Sequence, residues 1–458
     1  MIMPALGQQI NANRNRGGIL GIQQQTPGSS VKPQSELHHH VGRVHMVSNV
    51  TQLDKLLGRF HKSCAVIFFT SATCPPCKTL YPLYDELAAD VGDKGVLIKV
   101  DISQAFDIGS RYSVSATPTF ITFLKGQQEN RWSGADPSAL RGNIQLLLQM
   151  AWPPHPHQTL NLPTFSNPDA QPVIFSKIPP LPKLLAKMGP TASDPSVQSI
   201  SHFLSTRSSL GPADAPLPNL SSFASLIRSS LSTLPPDRLF PLIDLLRCSL
   251  IDPRVSGLLA EESTTPPHQT LTSILTHVTT NTSEDNYPLR LVTLHMACNL
   301  FTTPLYPPIL LSTPSILSLL TTLLTPSLLS ESHAPLRVAA ASLLYNIALS
   351  NARARASSGT DLLPEAEQVE LCAAVVEAVG REEGSKEALE GLLRGLGWLV
   401  YLYRSPLTEG EGELVDLLRA MEARRVVMAK GEKGGVGEGV GLVREVGERL
   451  LGRGMRLR

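Results

Sequence analysis

The sequence is poor in charged residues, in aromatic residues and in cysteine. Charged residues make up 17% of the 458 residues, and 40 Lys+Arg against 39 Asp+Glu leave a formal net charge of +1. This balance excludes a strongly basic nucleic-acid-binding chain and a protein built around an acidic tail. Six cysteines in a chain of this length are also too few for the disulfide scaffold of a small secreted domain.

The sequence also lacks a targeting leader and a long uninterrupted apolar run. Residues 1–18 do not show the basic-then-apolar order of a signal peptide. The most apolar stretch, residues 309–329, is interrupted by Pro314, Pro326 and many Ser and Thr residues, so it predicts buried helices rather than a membrane span. We therefore expect an intracellular protein of the cytoplasm or nucleus, without nucleic acid or membrane among its partners.

Proline, in contrast, is abundant, with 37 residues, and its distribution indicates the domain organisation. Residues 1–45 are rich in Gly, Gln, Asn, Ser and Pro without periodicity, which predicts a disordered segment. Residues 151–170 carry prolines too closely spaced for a helix, and we expect a stiff linker there. Two ordered regions remain, residues 46–150 and residues 171–455.

The first ordered region alternates helical and strand patterns. Buried strands are predicted at residues 64–69, 96–100 and 119–123, the last one followed by a turn and a strand at residues 129–132. Helical patterns separate these strands, including one at residues 77–90. The alternation predicts an α/β sandwich of about 100 residues.

The second ordered region contains only helical patterns. Apolar residues recur at spacings of three and four, as in Leu239, Leu242, Ile243 and Leu246. Leu-rich helices in pairs predict an all-α, armadillo-like helical solenoid.

Cys74-Pro75-Pro76-Cys77 lies between the first buried strand and the next helix. Two cysteines three residues apart at a helix start can form a disulfide, and the helix N-terminus stabilises the first thiolate. This predicts Cys74 as the attacking thiol and Cys77 as the resolving thiol. A zinc site would need two further ligands at matching spacing, and none lies nearby, so we expect neither a metal nor another cofactor.

Residues 46–150 resemble the thioredoxin family, on Cys74-Pro75-Pro76-Cys77 and on Ala116-Thr117-Pro118-Thr119-Phe120. The resemblance implies a thioredoxin-like sandwich, protein disulfide substrates, and a cis Pro118 that faces the cysteines. Thr73 stands where the family has tryptophan, and Phe68 where it has a buried aspartate that helps to deprotonate the resolving thiol. The second change predicts slower reduction of substrates.

The helical region resembles the PUL domain of ubiquitin-pathway proteins, on residues 294–301, 339–346 and 387–399. The resemblance implies binding of the acidic C-terminal tail of the hexameric AAA ATPase segregase, valosin-containing protein. Two groove arginines of the family fall at His295 and Gly391. We expect His295 to contribute, with Arg290, Arg337 and Arg394 as substitutes; ordinary solvated arginines are the alternative for these three.

Some fungal proteins carry a PPPDE isopeptidase domain, then a thioredoxin domain, then a PUL domain, and this sequence resembles the last two parts. By this resemblance we expect residues 1–10 to be the tail of a PPPDE domain that is otherwise missing from the sequence. Two functional hypotheses follow. One is a thioredoxin-like oxidoreductase fused to a segregase-recruiting domain, and the other is an adaptor of the ubiquitin–proteasome pathway in which both domains only bind partners.

Overall fold

The computed structural model describes residues 42–262, 268–281, 286–404, 412–433 and 438–457. The chain divides into two units, Met1–Pro153 and Pro154–Arg458. The disorder predicted for residues 1–45 falls almost wholly outside the described residues. Where the description begins, residues 42–44 lead directly into a first strand.

The first unit has five strands and five helices in the described residues. Its strands are β1 His45–Val47, β2 Cys64–Thr70, β3 Gly95–Asp101, β4 Thr119–Leu124 and β5 Gln127–Ser133. Its helices are α1 Val50–Arg59, α2 Pro75–Thr79, α3 Tyr81–Val91, α4 Phe106–Arg111 and α5 Pro137–Ala151. The sequence pattern missed the short β1 strand, which lies at the border of the polar segment.

The five strands form one mixed sheet in the order β1-β3-β2-β4-β5. Strand β3 is parallel to β1 and to β2, whereas β4 is antiparallel to β2 and to β5. All seven residues of β2 are buried. Because successive side chains point to opposite faces, Val66 and Phe68 enter one hydrophobic cluster, and Ala65, Ile67 and Phe69 enter the other. Helices therefore cover both faces, as the sequence predicts.

The helix predicted at residues 77–90 is divided into α2 and α3 at Leu80. Pro82 lies in the first turn of α3. A proline in the interior of one continuous helix would remove a backbone hydrogen bond and clash with the preceding turn. Starting a new helix at Tyr81 places Pro82 where no such bond is required.

Helices are the regular secondary structure of the second unit in its described residues, and residues 160–180 run between them without helix or strand. Its first helices are α6 Leu181–Met188, α7 Pro195–Leu210, α8 Leu220–Thr233, α9 Pro236–Ser249, α10 Pro253–Ala260, α11 Gln269–Thr280, α12 Tyr287–Asn299 and α13 Tyr306–Ser312. The later ones are α14 Pro314–Leu328, α15 Ala334–Ser358, α16 Glu365–Arg381, α17 Lys386–Val400, α18 Glu413–Ala420, α19 Ala423–Lys433 and α20 Glu438–Val443, followed by a π-helix Arg444–Gly454.

These helices pack in two rows. The inner row is formed by α9, α12, α15 and α17, each packed on the next. The outer row is formed by α8, α11, α14, α16 and α18, again each on the next, and the rows pack on one another through pairs such as α14 with α15. A single hydrophobic core runs between them. This is the layered helical stack that the recurring Leu-rich pattern predicts.

The most apolar stretch of the sequence forms α13 and α14. Leu310 and Leu311 of α13 and Ile316 and Leu320 of α14 are buried in the core, as expected for buried helices. In the described residues, no single helix has both the length and the hydropathy needed to cross a membrane. Taken together, α13 and α14 meet those two criteria as a pair bent by 88°.

The proline-rich stretch at residues 151–170 packs mostly on the helical unit. His157 and Phe165 are buried there. The backbone N–H and the hydroxyl of Thr164 donate to the buried carboxylate of Glu445, at 2.8 and 2.7 Å. The stretch forms only one short 3₁₀ helix, Pro156–Thr159, after the end of α5, and its apolar and polar side chains still pack on the helical unit.

Candidate functional site

Cys74 and Cys77 form a disulfide at the carboxyl end of the central strand β2, with Cα atoms 5.4 Å apart. Cys74 is the N-cap of α2, and its Sγ accepts a hydrogen bond from the backbone N–H of Cys77 at 3.2 Å. Cys74 retains 8% exposure, whereas Cys77 is fully buried. Of the two residues, Cys74 is therefore the one with surface that a partner could reach.

The backbone before β4 faces this disulfide. The Thr117–Pro118 peptide bond is cis, as the thioredoxin resemblance predicts. The carbonyl oxygen of Thr117 lies 3.6 Å from the Sγ of Cys74. Cys74, Cys77 and Pro118, predicted from widely separated motifs, thus belong to one site.

Aromatic rings fill the space behind the disulfide. Phe68 stacks on Phe120 at a centroid distance of 4.6 Å, and Phe120 stacks on Trp132 at 5.2 Å. Tyr84 meets Phe68 edge-on at 5.1 Å. Phe68 and Cys77 belong to the same hydrophobic cluster. The position that carries a carboxylate in the family is an apolar contact here.

The other four cysteines, Cys64, Cys248, Cys298 and Cys372, are buried free thiols. Burial raises the pKa of Cys248 and of Cys372 to about 12. Burial raises the pKa values of Cys64 and Cys298 as well. A thiolate is the reactive form, so these residues are suited to packing rather than to chemistry.

The inner row of the helical unit is crossed by residues 171–177, which we call the crossing segment. Asn346 of α15 accepts from the backbone N–H of Val173 at 2.7 Å and donates to its carbonyl oxygen at 2.8 Å. Asn299 of α12 likewise accepts from the backbone N–H of Phe175 at 2.7 Å and donates to its carbonyl oxygen at 3.0 Å. The two amides, one on α12 and one on α15, therefore bind alternate residues of the same backbone segment.

Arg247 of α9 provides the next contact along the row. Its guanidinium donates to the carbonyl oxygens of Phe175 and Lys177, at 2.5 and 3.0 Å, and pairs with Asp244. Asn299 and Asn346 are thus fully buried amides bonded to backbone. The segment that they bind lies more than a hundred residues away, and no local pattern identifies it.

His295 lies beneath the crossing segment. The ring of Phe175 stacks on its imidazole at a centroid distance of 3.7 Å. Burial, helped by the nearby charge of Arg247, lowers the pKa of His295 to about 4. The imidazole is therefore neutral at pH 7, and one face is covered by the protein itself.

Arg290 and Arg337 face the outer row. Arg290 donates to Ser327 of α14 at 3.2 Å, and burial lowers its pKa. Arg337 forms a two-bond ion pair with the buried carboxylate of Glu382, at 2.6 and 3.1 Å. These two predicted groove residues have structural partners, and the structure does not bring them together with His295.

Arg394 is exposed on α17, and the structure places a second exposed arginine, Arg353 of α15, in the same region. Both guanidinium charges oppose the rise in pKa that burial causes for Tyr345. The Tyr345 hydroxyl donates to Gln171 at 3.1 Å, and Arg353 donates to the carbonyl oxygen of Ala170. Arg394 and Arg353 therefore flank the start of the crossing segment. The sequence analysis missed Arg353, because nothing in its local pattern distinguishes it from a solvated helix residue.

Gly391, a position expected from the PUL resemblance to contribute to partner binding, packs against helix α15 instead. A Cβ atom at this position would lie 2.9 Å from the Cβ of Ala341, where α17 packs on α15. The glycine permits this close approach of the two helices. The PUL resemblance implies an arginine at this position, whereas this chain has a glycine that packs on Ala341.

Comparison with known proteins supports both assignments. The sequence profile described as "PUL domain" matches residues 167–449, and the profile described as "Thioredoxin" matches residues 45–145. The chain belongs to the PUL domain family, and a thioredoxin domain precedes that domain.

Similar curated proteins cover the thioredoxin domain. A thioredoxin of Mycoplasmoides gallisepticum is 36% identical over 91 residues, covering 20% of this chain and 88% of that protein. A thioredoxin of Malassezia sympodialis is 32% identical over 102 residues, covering 22% of this chain and 95% of that protein. Chloroplastic thioredoxin Y of Oryza sativa subsp. japonica is 34% identical over 102 residues; the chain spans 60% of its length, and the match covers 22% of this chain.

Proposed function

We propose that this protein is a thiol–disulfide oxidoreductase in which Cys74 and Cys77 exchange electrons with protein disulfides, joined to a PUL domain that recruits the AAA ATPase segregase. The observation that carries the redox part is the Cys74–Cys77 disulfide, in which the Cys74 Sγ lies 3.6 Å from the Thr117 carbonyl oxygen before cis Pro118. A client strand laid along this backbone would present its sulfur to Cys74. The setting would be the cytoplasm or nucleus.

An insulin-reduction assay with the full chain tests the redox part. Dithiothreitol supplies the electrons, and the rate with dithiothreitol alone is the background. We expect the full chain to accelerate precipitation of reduced insulin and Cys74→Ser to fall to the background, because the attacking sulfur is gone. Equal rates for the two proteins would refute redox catalysis by this pair.

The partner part rests on the exposed Arg353 and Arg394 beside the start of the crossing segment. Guanidinium groups pair with carboxylates through two parallel hydrogen bonds, so an extended acidic tail suits this place. Arg353 and Arg394, rather than Arg290 and Arg337, are the residues we assign to the acidic tail of the segregase. His295 would shape the floor of the site as a neutral ring.

Titration of an acidic tail peptide of the segregase into the full chain tests this part. Loss of one charge-assisted hydrogen bond costs about 1.5–3 kcal/mol, so Arg394→Ala should weaken binding by at least about tenfold. Arg381→Ala is the matched control, since Arg381 is an exposed arginine of the outer row that pairs with Glu377. Equal affinity of the two variants, or no binding at low salt, would contradict the assignment.

A second candidate function is an adaptor of the ubiquitin–proteasome pathway without chemistry. The changes at the redox site favour it: Thr73 stands in place of the usual tryptophan, and the ring of Phe68 occupies the place of a carboxylate. In this case the full chain would bind the acidic tail, and wild type and Cys74→Ser would be equally inactive toward insulin.

A further inference from the structure

We propose that the mixed disulfide between Cys74 and a client is long-lived in this protein, so that the thioredoxin domain captures clients covalently rather than turning them over rapidly. This inference rests on the proposed redox function and deepens it. It follows from an asymmetry between the two sulfurs: the structure favours the thiolate of Cys74 and disfavours that of Cys77.

The reaction has two exchange steps. In the first, the Cys74 thiolate attacks one sulfur of a client disulfide, forms the Cys74–client disulfide, and releases the other client sulfur as a thiolate that takes a proton from water. In the second, the Cys77 thiolate attacks the Sγ of Cys74 and releases the client as a dithiol. The client disulfide gains two electrons and the Cys74–Cys77 pair loses two; an external dithiol restores the pair.

The first step is supported by the surroundings of Cys74. The backbone N–H of Cys77 points at the Cys74 Sγ from 3.2 Å, a contact that stabilises a thiolate. The sulfur is also the accessible one of the pair, because Cys77 has no exposed surface. Cys74 can therefore ionise and reach a client.

The second step requires a thiolate on Cys77, in apolar surroundings. Cys77 shares its hydrophobic cluster with Phe68, Phe120, Leu80 and Tyr84. Burial among apolar groups disfavours a charged form unless a partner compensates. In residues 42–153, the buried polar residues are all threonines, so the described part of this unit buries no Asp, Glu or His that could take the proton.

The ionisable groups on the flanking elements are already engaged. The Tyr84 hydroxyl donates to the carbonyl oxygens of Val66 and Ile98, both at 3.0 Å, and burial raises its pKa well above the ordinary value. Lys99 of β3 lies over the ring of Tyr81, 4.1 Å from its centroid. Neither group is a free base.

The remaining groups lie at the rim of the site. The Tyr81 hydroxyl shares a hydrogen bond with Thr70 at 2.8 Å. Asp101, the last residue of β3, accepts hydrogen bonds from the backbone N–H and the hydroxyl of Ser103. The charged residues of α2, α3, β5 and α5 are exposed or partly exposed: Lys78, Asp85, Glu86, Asp90, Glu129, Arg131 and Arg141. Cys77 must therefore lose its proton to solvent, although solvent does not contact it in the folded state.

Strand register identifies the substitution that should reverse this property. Phe68 is paired with Phe120 on β4 and with Lys99 on β3. An aspartate at position 68 would have the Lys99 ammonium on the adjacent strand as a counter-ion. It would also supply a base within the cluster that contains Cys77. Phe68→Asp is thus a gain-of-function variant, and Phe68→Asn is its matched control, with the same shape and no base.

The experiment follows the mixed disulfide over time. The fully reduced, desalted full chain is mixed with a disulfide-linked peptide pair without air, quenched with acid, and analysed by intact mass. We expect wild type to accumulate the Cys74 adduct. General base catalysis contributes about 10²–10⁴-fold, so Phe68→Asp should shorten the adduct lifetime by about 100-fold or more, and Phe68→Asn should not. Adduct decay in wild type as fast as in Phe68→Asp would overturn the proposal.

Two further arms keep the test decisive. If Phe68→Asp does not fold, as judged by its circular dichroism, the decay rate of the wild-type adduct is measured from pH 6 to pH 8. A Cys77 thiolate formed by loss of the proton to solvent predicts a rise in this rate of about tenfold per pH unit. A fast decay rate that is independent of pH overturns the proposal. Cys77→Ser separates this proposal from the redox function. An adduct in Cys77→Ser but none in wild type refutes only the long-lived intermediate, whereas no adduct in either refutes redox chemistry at Cys74.

Discussion

The ring of Phe175 lies flat against the imidazole of His295, with ring centroids 3.7 Å apart and ring planes 23° from parallel. One residue belongs to the crossing segment and the other to helix α12. The contact buries the imidazole, and burial together with the charge of Arg247 lowers the pKa of His295 to about 4. A position at which the family implies an arginine is thus a neutral ring held by the protein's own chain.

We predict that protonation of His295 destabilises the helical unit. The imidazole has an ordinary pKa of 6.5 in the unfolded chain and about 4 in the folded one. Between these values the unfolded chain binds more protons, so this residue's contribution to stability is complete above pH 6.5 and is lost as the pH falls toward 4. His295→Phe keeps the stacked ring and should reduce the fall in stability between pH 7 and pH 5, measured by chemical denaturation.

Two controls accompany this measurement. His202→Gln, at an exposed position on α7, should leave the pH dependence unchanged. His157, whose pKa burial lowers to about 3, acts in the same direction, so part of the dependence should persist in His295→Phe. An identical pH dependence of stability in wild type and His295→Phe would show that folding does not lower the pKa of His295.

The amides of Asn299 and Asn346 are predicted to hold the crossing segment in place. Replacing Asn346 by alanine removes the partner of both the backbone N–H and the carbonyl oxygen of Val173, whereas replacing Asn299 leaves only the backbone N–H of Phe175 unpaired, because Arg247 still donates to its carbonyl oxygen. A half-buried backbone group left without a partner costs about 1 kcal/mol, the lower end of the range for buried groups. Asn346→Ala and Asn299→Ala should each lower the free energy of unfolding of the helical unit by at least that amount. Asn281→Ala, at an exposed amide that bonds within its own helix, should change it by less than about 0.5 kcal/mol.

The disulfide site could be predicted from the sequence because its parts are marked by local chemistry. Cysteines three residues apart after a buried strand, and a Thr-Pro before a later strand, are recognisable wherever they occur. The central sheet followed from runs of buried apolar residues such as residues 64–69. Cys74, Cys77 and Pro118 therefore meet in the structure as expected.

The groove could not be predicted in the same way because it depends on contacts between distant parts of the chain. Arg337 and Arg394 both lie in helical sequence patterns, and only the fold shows that the first pairs with Glu382 while the second is exposed. The pairing of Asn346 with Val173 spans 173 residues. Local periodicity reports which face of a helix is apolar, but not which remote segment covers it.

Gly391 is predicted to be a packing residue. A methyl group at this position would lie 2.9 Å from the Ala341 side chain, so Gly391→Ala forces α15 and α17 apart and should cost about 1–3 kcal/mol. Gly441→Ala is the control: a Cβ atom there meets nothing within 4 Å, and alanine in a helix should be neutral or stabilising by up to about 1 kcal/mol. Thermal unfolding distinguishes them, and equal melting temperatures would contradict the packing role.

Arg337 is predicted to stabilise the fold rather than to bind the acidic tail. Arg337→Ala leaves the Glu382 carboxylate, 5% exposed, without its charged partner. Breaking a buried ion pair from one side costs about 3–5 kcal/mol. We expect a large loss of stability with an unchanged affinity for the acidic tail peptide, measured below the unfolding transition. Weaker binding of the tail peptide by the folded variant would show that Arg337 takes part in binding.

Intact-mass analysis of the full-length Cys77→Ser variant, incubated in reduced form with a disulfide-linked peptide, tests most directly whether Cys74 attacks client disulfides. The other four cysteines are buried, so an adduct on the folded chain reports on Cys74. We predict one peptide adduct per chain, mapped by digestion to Cys74 and absent from the Cys74→Ser/Cys77→Ser double variant. No adduct, or the same adduct in the double variant, would contradict it.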